Sequence, residues 1–315
     1  MTLNERAQLV ADEVERNAAR LRVSVSKVGG ARVIDCGGAV QGSLAAGLLL
    51  ARACLADAAD VAYVPCPITE VGGPAVQVTT DDPVRACLAS QYAGWQVSAG
   101  KFFAMGSGPM RALAAREELF LDIPHCKEES AHAVGVLETH SHPNEDVIAA
   151  IVSKLPPTAE HLTLLVAPTM SLAGTTQIVA RSVETALHKL HELKFDVTQV
   201  VSGYGVAPLP PVAPEFAQAI GRTNDAILYG AKVVLWVRAD DELLDQIGPK
   251  VPSMASKDHG APFAEVFARY NGDFYKIDPL LFSPAEVEFR NLKTGKCHRF
   301  GKAEPDLLRK SFGLA

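Results

Sequence analysis

Leu162-Thr163-Leu164-Leu165-Val166-Ala167-Pro168-Thr169-Met170-Ser171-Leu172-Ala173-Gly174-Thr175-Thr176-Gln177-Ile178-Val179-Ala180-Arg181-Ser182-Val183-Glu184-Thr185-Ala186-Leu187-His188-Lys189-Leu190 decides the fold class. The run Leu162–Ala167 is short, nearly continuous in apolar side chains, and bounded by a proline, which is the pattern of a buried strand. Past the Pro168–Met170 break, Val179, Val183, Ala186, Leu187 and Leu190 recur at helical spacing, so Ser171–Leu193 reads as one amphipathic helix. A buried strand feeding directly into such a helix is the repeating unit of α/β architecture.

The same alternation extends in both directions. Residues 3–21 read as a helix, Val23–Val28 and Arg32–Cys36 as strands, and Gln41–Leu55 as a tightly packed helix rich in Ala and Gly. Val61–Val64, Ala75–Thr79, Ala133–Glu138 and Val233–Arg238 read as further buried strands; Asn144–Lys154, Glu215–Leu228 and Pro262–Tyr270 read as helices. A chain of 315 residues suggests about two domains. Pro156-Pro157 interrupts a helical segment and places a boundary near Leu155–Thr158, giving an N-terminal α/β domain over 1–157 and a C-terminal one over 158–315, with the option that C-terminal strands return to the first. Pro208-Leu209-Pro210-Pro211 reads as a loop within the second half.

Composition narrows the class. Apolar residues make up 48% and charged residues 21%, which suits a packed globular protein rather than a disordered one. The formal net charge of -6, with Lys and Arg scattered, argues against a nucleic-acid partner, which would need a basic face. No apolar stretch approaches the ~20 residues of a membrane span, and the charged amphipathic N-terminus does not read as a secretory signal, so a cytoplasmic protein is expected. The six cysteines form no C-x-x-C pair and read as small buried hydrophobes.

Five segments carry candidate chemistry. In Ala104-Met105-Gly106-Ser107-Gly108-Pro109-Met110-Arg111, glycines allow close backbone approach and Pro109 suits a first helical position, so Ser107 and Gly108 are candidate substrate contacts; a plain strand–turn–helix is the simpler reading. In Glu138-Thr139-His140-Ser141-His142-Pro143-Asn144-Glu145-Asp146, two histidines beside three carboxylates invite a metal, but two histidines need a further ligand and no H-E-x-x-H exists. A strand end, polar loop and acidic helix start account for the same residues. In the helix already quoted, Gln177, Arg181, Glu184 and His188 form a polar stripe. Arg181 and Glu184 are three apart and can touch. They are either an exposed pair worth little or a cleft-lining general base with its orienting cation. Gly221-Arg222-Thr223-Asn224-Asp225-Ala226-Ile227-Leu228-Tyr229-Gly230 offers Arg222, Asn224 and Asp225 to a polar heterocycle, or simply a capped turn. Gly272-Asp273-Phe274-Tyr275-Lys276-Ile277-Asp278-Pro279 suits a loop over a flat ligand, or a loop with its own small core.

Taken in order, Met105–Pro109, the Arg181-x-x-Glu184 helix, Gly221–Gly230 and Asp273–Pro279 resemble the methenyltetrahydromethanopterin cyclohydrolase family, and the likeness runs along the whole chain. Met110 departs from the small residue expected after the Gly-Ser-Gly-Pro turn, and His140 and His142 look particular to this chain. The resemblance implies two side-by-side α/β domains with a large pocket between them, a homotrimer, no metal and no cofactor beyond the pterin substrate. It points to Glu184 and Arg181 as the catalytic pair; Lys101 and Glu138, which flank motif segments, are added as further substrate-binding candidates. The activity it implies is reversible hydrolysis of 5,10-methenyltetrahydromethanopterin, or its dephospho form, to the 5-formyl compound in one-carbon metabolism. The competing readings are a metal-dependent cyclohydrolase or amidohydrolase centred on His140 and His142, and a pterin-binding protein that does not hydrolyse its ligand.

Overall fold

The structure, a computed structural model, describes residues 1–273 and 276–314. Phe274 and Tyr275 of the aromatic loop motif therefore lie outside the described residues. The fold is α/β, and the described residues form two six-stranded sheets, each belonging to one of two units.

The first unit comprises Met1–Ala59 and Arg85–Gln177. Its strands are β1 (Ser24–Val28), β2 (Ala31–Asp35), β5 (Trp95–Ala99), β6 (Phe102–Ser107), β7 (His132–Glu138) and β8 (His161–Ala167), in the order β1-β2-β8-β7-β6-β5. β2, β8 and β7 run parallel; the outer pairings are antiparallel. Side chains alternate between the faces of a strand, so β2, β7 and β8 feed two cores. Ile34, Val134, Val136 and Leu165 meet Ala7, Val10, Val14, Leu49 and Leu50 on one face. Val33, Leu137, Leu164 and Val166 meet Val97, Met110, Val147 and Ile151 on the other. Burial on both faces explains why β7 and β8 read as continuous apolar runs. Met110, the departure noted in the turn, is fully buried in the second of these cores.

The helix Leu3–Arg16 starts on a capping box: Thr2 Oγ1 accepts the Glu5 N–H at 3.1 Å, and Glu5 Oε2 accepts the Thr2 N–H at 2.8 Å. It ends at Asn17, so the expected helix over 3–21 is two pieces, the second being Ala18–Leu21. Val84–Gln91 is a π-helix, with its wide turns closed by Arg111, whose buried guanidinium donates to the carbonyls of Leu88 (2.8 Å) and Ala89 (3.2 Å).

The second unit comprises Asp60–Val84 and the chain from Ile178 onward. Its strands are β3 (Asp60–Pro65), β4 (Pro74–Thr80), β9 (Val200–Pro208), β10 (Lys232–Val237), β11 (Glu286–Asn291) and β12 (Cys297–Gly301), in the order β12-β11-β10-β9-β4-β3. Among the described residues of this unit, only β10 and β11 pair in parallel. β9 is not among the strands expected from the sequence, and Gly203 and Gly205 lie within it. A Cβ on Gly203 would lie 2.8 Å from the Val183 side chain, and one on Gly205 would lie 2.3 Å from Ser182 Oγ. These glycines let the helix Ser182–Glu192 lie directly on the sheet.

This arrangement moves the expected boundary. Pro156-Pro157 is a connection inside the first unit, because β8 pairs with β2 and β7. The division falls at Gln177/Ile178 instead, and the excursion between units is the β3–β4 hairpin, which pairs with β9, rather than a return of C-terminal strands. The helix expected over Ser171–Leu193 is likewise broken, into Leu172–Val179 and Ser182–Glu192. Of the cysteines, Cys36, Cys54, Cys87 and Cys126 are buried as expected, Cys66 is half-buried and Cys297 is exposed. Among the described residues, no helix is long and apolar enough to cross a membrane.

Candidate functional site

The break after Val179 gives Arg181 and Glu184 their geometry. Arg181 sits just before the helix Ser182–Glu192, and Glu184 lies in its first turn, where the helix dipole favours a negative charge. Arg181 Nη1 stands 3.7 Å from Glu184 Oε2, and the two side chains are only 10% and 5% exposed. The pair is thus buried, and the reading as an exposed pair worth little does not hold. Burying two charges is expensive even when they are paired, so a buried pair at this position is a candidate for chemistry. Gln177 of the same polar stripe is also buried, and its amide donates to Cys54 Sγ at 3.4 Å within the first unit. Farther along the helix, Lys189 is buried and its ammonium donates to the Leu280 carbonyl; burial pushes its pKa down to about 8.

In the first unit, the parallel strands end together. Registers pair Asp35 with Val166 and Glu138 with Ala167, so Ala167 and Glu138 lie abreast at the carboxyl edge and Asp35 lies one residue short of them. That edge is where open α/β sheets bind ligands. Three loops leave from it. The first, beyond Asp35, is folded by that carboxylate, which accepts the N–H groups of Gly37 (2.9 Å), Gly38 (2.6 Å) and Ala39 (2.7 Å). The second, beyond Glu138, carries His140 and His142, both exposed. The third, beyond Ala167, carries Thr169, whose hydroxyl donates to Glu138 Oε1 at 2.6 Å. Among the described residues no three His, Cys, Asp or Glu side chains form a group that could hold a metal ion.

The antiparallel β6–β7 pairing matches Met105 with Glu138 and Ser107 with Val136. It sets the exposed Lys101, in the turn before β6, toward the Glu138 end, whereas Ser107 lies farther along the sheet. Ser107 is buried, with its Oγ 3.2 Å from Cys54 Sγ. Gly108 has φ +91, a conformation that favours glycine, and its N–H is taken by the Ser90 carbonyl at 2.8 Å. The turn is thus a built strand–turn–helix, and its helix, Met110–Ala114, is a short one.

Arg222, Asn224 and Asp225 lie inside the helix Phe216–Leu228 rather than in a turn. Arg222 donates to the carbonyls of Ser311 and Pro211, both at 3.2 Å, and Asn224 to the Ile220 carbonyl at 2.9 Å. Asp225 is fully buried, accepting the Phe263 N–H at 2.8 Å and the Ser311 hydroxyl at 2.5 Å. Burial raises its pKa to about 7, against these hydrogen bonds, which favour the charged form. The folded protein therefore binds this proton more tightly than the unfolded chain does, whose Asp titrates near 3.9. Stability is lost as pH rises from about 4 to about 7, and the ionised carboxylate remains a cost above that. Asp225→Asn keeps an acceptor for Phe263 and a group for Ser311. It should melt higher than the wild type at pH 8, with the advantage smaller at pH 5 by on the order of 1–3 kcal/mol. Thermal scans at the two pH values check this, and an advantage that does not change with pH would refute it.

Sequence spacing did bring out Arg181 with Glu184, and it placed Glu138 at a strand end. It missed Thr169 and the Asp35 loop, since their partners are set by strand register; the one available signal was that each directly follows or ends an apolar strand run.

Comparison with known proteins shows the family of the chain. A family profile described as "Cyclohydrolase (MCH)" matches residues 2–312. The chain is 52% identical over 291 residues to a methenyltetrahydromethanopterin cyclohydrolase of Rhodopirellula baltica, covering 91% of this chain and 87% of that one. It is 46% identical over 316 residues to the enzyme of that name from a Methylobacterium species, covering 99% and 97%. It is 42% identical over 318 residues to the one from Methanosarcina barkeri, covering 100% and 99%. Buried Arg181 and Glu184 and the carboxyl-edge Glu138 thus sit in a chain that belongs, along nearly its whole length, to the MCH cyclohydrolase family.

Proposed function

We propose that this protein hydrolyses 5,10-methenyltetrahydromethanopterin, or its dephospho form, to the 5-formyl compound in one-carbon metabolism. The observation that carries this reading is near-full-length identity of 41–52% to cyclohydrolases named for that substrate. The buried Arg181–Glu184 pair supplies a base and a cation of the right kind.

The substrate carries an amidinium, N5–CH=N10, whose bridging carbon is already electrophilic. What it lacks is a deprotonated water on the correct face. Glu184 takes a proton from water as the oxygen adds to that carbon, giving a tetrahedral carbinol. The carbinol loses its hydroxyl proton as the C–N10 bond breaks, the formyl group stays on N5, and N10 takes up a proton with the electron pair of the broken bond; of the two protons drawn from water, one ends on N10 and the other is released to solvent. A positioned base of this kind contributes typically ~10²–10⁴-fold. Arg181 holds the Glu184 rotamer. A carboxylate beside the cation also stabilises the bound substrate, so charge attraction alone does not account for turnover.

Lys101, Ser107, Gly108, Glu138, Arg222, Asn224 and Asp225 are the residues we assign to substrate binding. For Glu138 and Lys101 the support is their shared sheet end. For Ser107, Gly108, Arg222, Asn224 and Asp225 it is the motif likeness, since their polar groups are engaged within the fold. The same likeness supports a cytoplasmic homotrimer that needs no metal and no further cofactor. Purified protein mixed with the methenyl substrate should abolish the near-ultraviolet band of the amidinium at the same rate with and without a metal chelator. Loss of activity in chelator would instead point to metal chemistry, and no loss of the band in either sample would leave a pterin-binding protein.

A further inference from the structure

Glu138 has a divided carboxylate. Oε1 accepts the Thr169 hydroxyl at 2.6 Å, and among the described residues nothing donates to Oε2. The side chain is half-buried, so the second oxygen is not sealed in the core. Thr169, by contrast, is 1% exposed and locked in place. Its carbonyl accepts the Thr175 hydroxyl at 2.9 Å. The loop around it is closed by Ser171, whose N–H and hydroxyl both reach the Pro168 carbonyl, at 3.1 and 2.8 Å, and whose Oγ accepts the Gly174 N–H at 3.0 Å. On the other side of Glu138, Thr139 N–H extends the β7–β8 pairing to the Ala167 carbonyl at 3.3 Å, and its hydroxyl donates to the Phe103 carbonyl at 2.8 Å.

A buried hydroxyl on an immobile loop therefore fixes one oxygen of a carboxylate at the ligand-binding edge of a parallel sheet. The energetic logic favours a functional role. A half-buried glutamate in water needs no partner, and its rotamer freedom would be worth keeping. Holding it by a short, charge-assisted hydrogen bond makes sense where its orientation matters.

We propose that Thr169 is a positioning residue, which orients Glu138 so that Oε2 meets a hydrogen-bond donor on the substrate; this rests on the hydrolase reading above. Thr169 touches no reacting atom and acts through Glu138. Its removal is felt through kcat/KM, and only while Glu138 is present.

The test is a double-mutant cycle read as kcat/KM for the methenyl substrate, with each variant's Tm measured alongside. Thr169→Val keeps the shape and removes the donor, and is expected to lower kcat/KM roughly 10- to 100-fold, the usual range for a hydrogen bond to a charged group. Thr169→Ser, which keeps the hydroxyl, should stay within about threefold of the wild type, and in a Glu138→Ala background Thr169→Val should change kcat/KM by less than about twofold. The inference is overturned if Thr169→Val alone is silent, if Thr169→Ser is as impaired as Thr169→Val, or if Thr169→Val costs as much without Glu138 as with it, since a purely structural role would give that result. An inactive wild type would remove the hydrolase reading and this inference with it; an active wild type with a silent Thr169→Val would remove this inference alone.

Discussion

Glu184→Gln is expected to lower kcat by about 10²–10⁴-fold while KM stays within a few-fold of the wild type. The substitution keeps the size and one side-chain oxygen as an acceptor, so the first turn of the helix Ser182–Glu192 has no reason to rearrange. What disappears is the capacity to take a proton from water. If Glu184 bound the substrate cation and did nothing else, the loss would appear in KM instead. The variant also leaves Arg181 buried beside a neutral amide, so some stability is lost, and Tm must be followed in parallel. A Glu184→Gln enzyme that is folded and turns over at near-normal rate would contradict the assignment of the base.

The largest effect on stability should come from Arg111→Met. The Arg111 side chain is fully buried, and its fork is filled. Nε donates to Glu117 Oε1 at 2.9 Å, Nη2 to the other oxygen of the same carboxylate, and Nη1 to the Leu88 and Ala89 carbonyls at the end of the π-helix. The guanidinium carbon lies 5.0 Å from the centre of the Tyr92 ring and 5.6 Å from that of Phe120. Methionine fills much of the volume but strands the Glu117 charge and two buried carbonyls. Breaking a buried pair on one side costs about 3–5 kcal/mol, which for a chain of this size lowers Tm by roughly 10 °C. Arg111→Lys keeps the charge but not the fork and should fall between. Differential scanning calorimetry decides; a Tm for Arg111→Met within about 2 °C of the wild type would mean that the network contributes little.

The contrast between these two residues shows what the sequence makes legible. The fold class follows from the run Leu162–Ala167 and the amphipathic helix after it, because a strand buried on both faces has no polar alternation to hide it. β9 is hidden for the opposite reason: Gly203 and Gly205 are small because a helix rests on them, and local propensity reads smallness as a break. The break at Ala180-Arg181 carries no Gly or Pro, so a continuous helix is the natural expectation. The strand hairpin from Asp60 to Thr80 joins the sheet of the second unit by a pairing with β9 that is more than a hundred residues distant, which no local signal announces. At the site, the i, i+3 spacing of Arg181 and Glu184 shows that they can touch, but burial depends on what packs over them. Arg111 reads as an ordinary helix residue until Leu88, Ala89 and Glu117 are brought to it. Thr169 and Glu138 are 31 residues apart and meet only through the parallel register of β7 and β8.

The most direct test of the central claim is the identity of the product formed in water enriched in oxygen-18. Purified protein and the methenyl substrate should give the 5-formyl compound with one heavy oxygen in the formyl group, at a rate that Glu184→Gln strongly reduces. Recovery of unchanged methenyl substrate from folded wild-type protein, or of a product whose formyl oxygen is not drawn from water, would contradict the account.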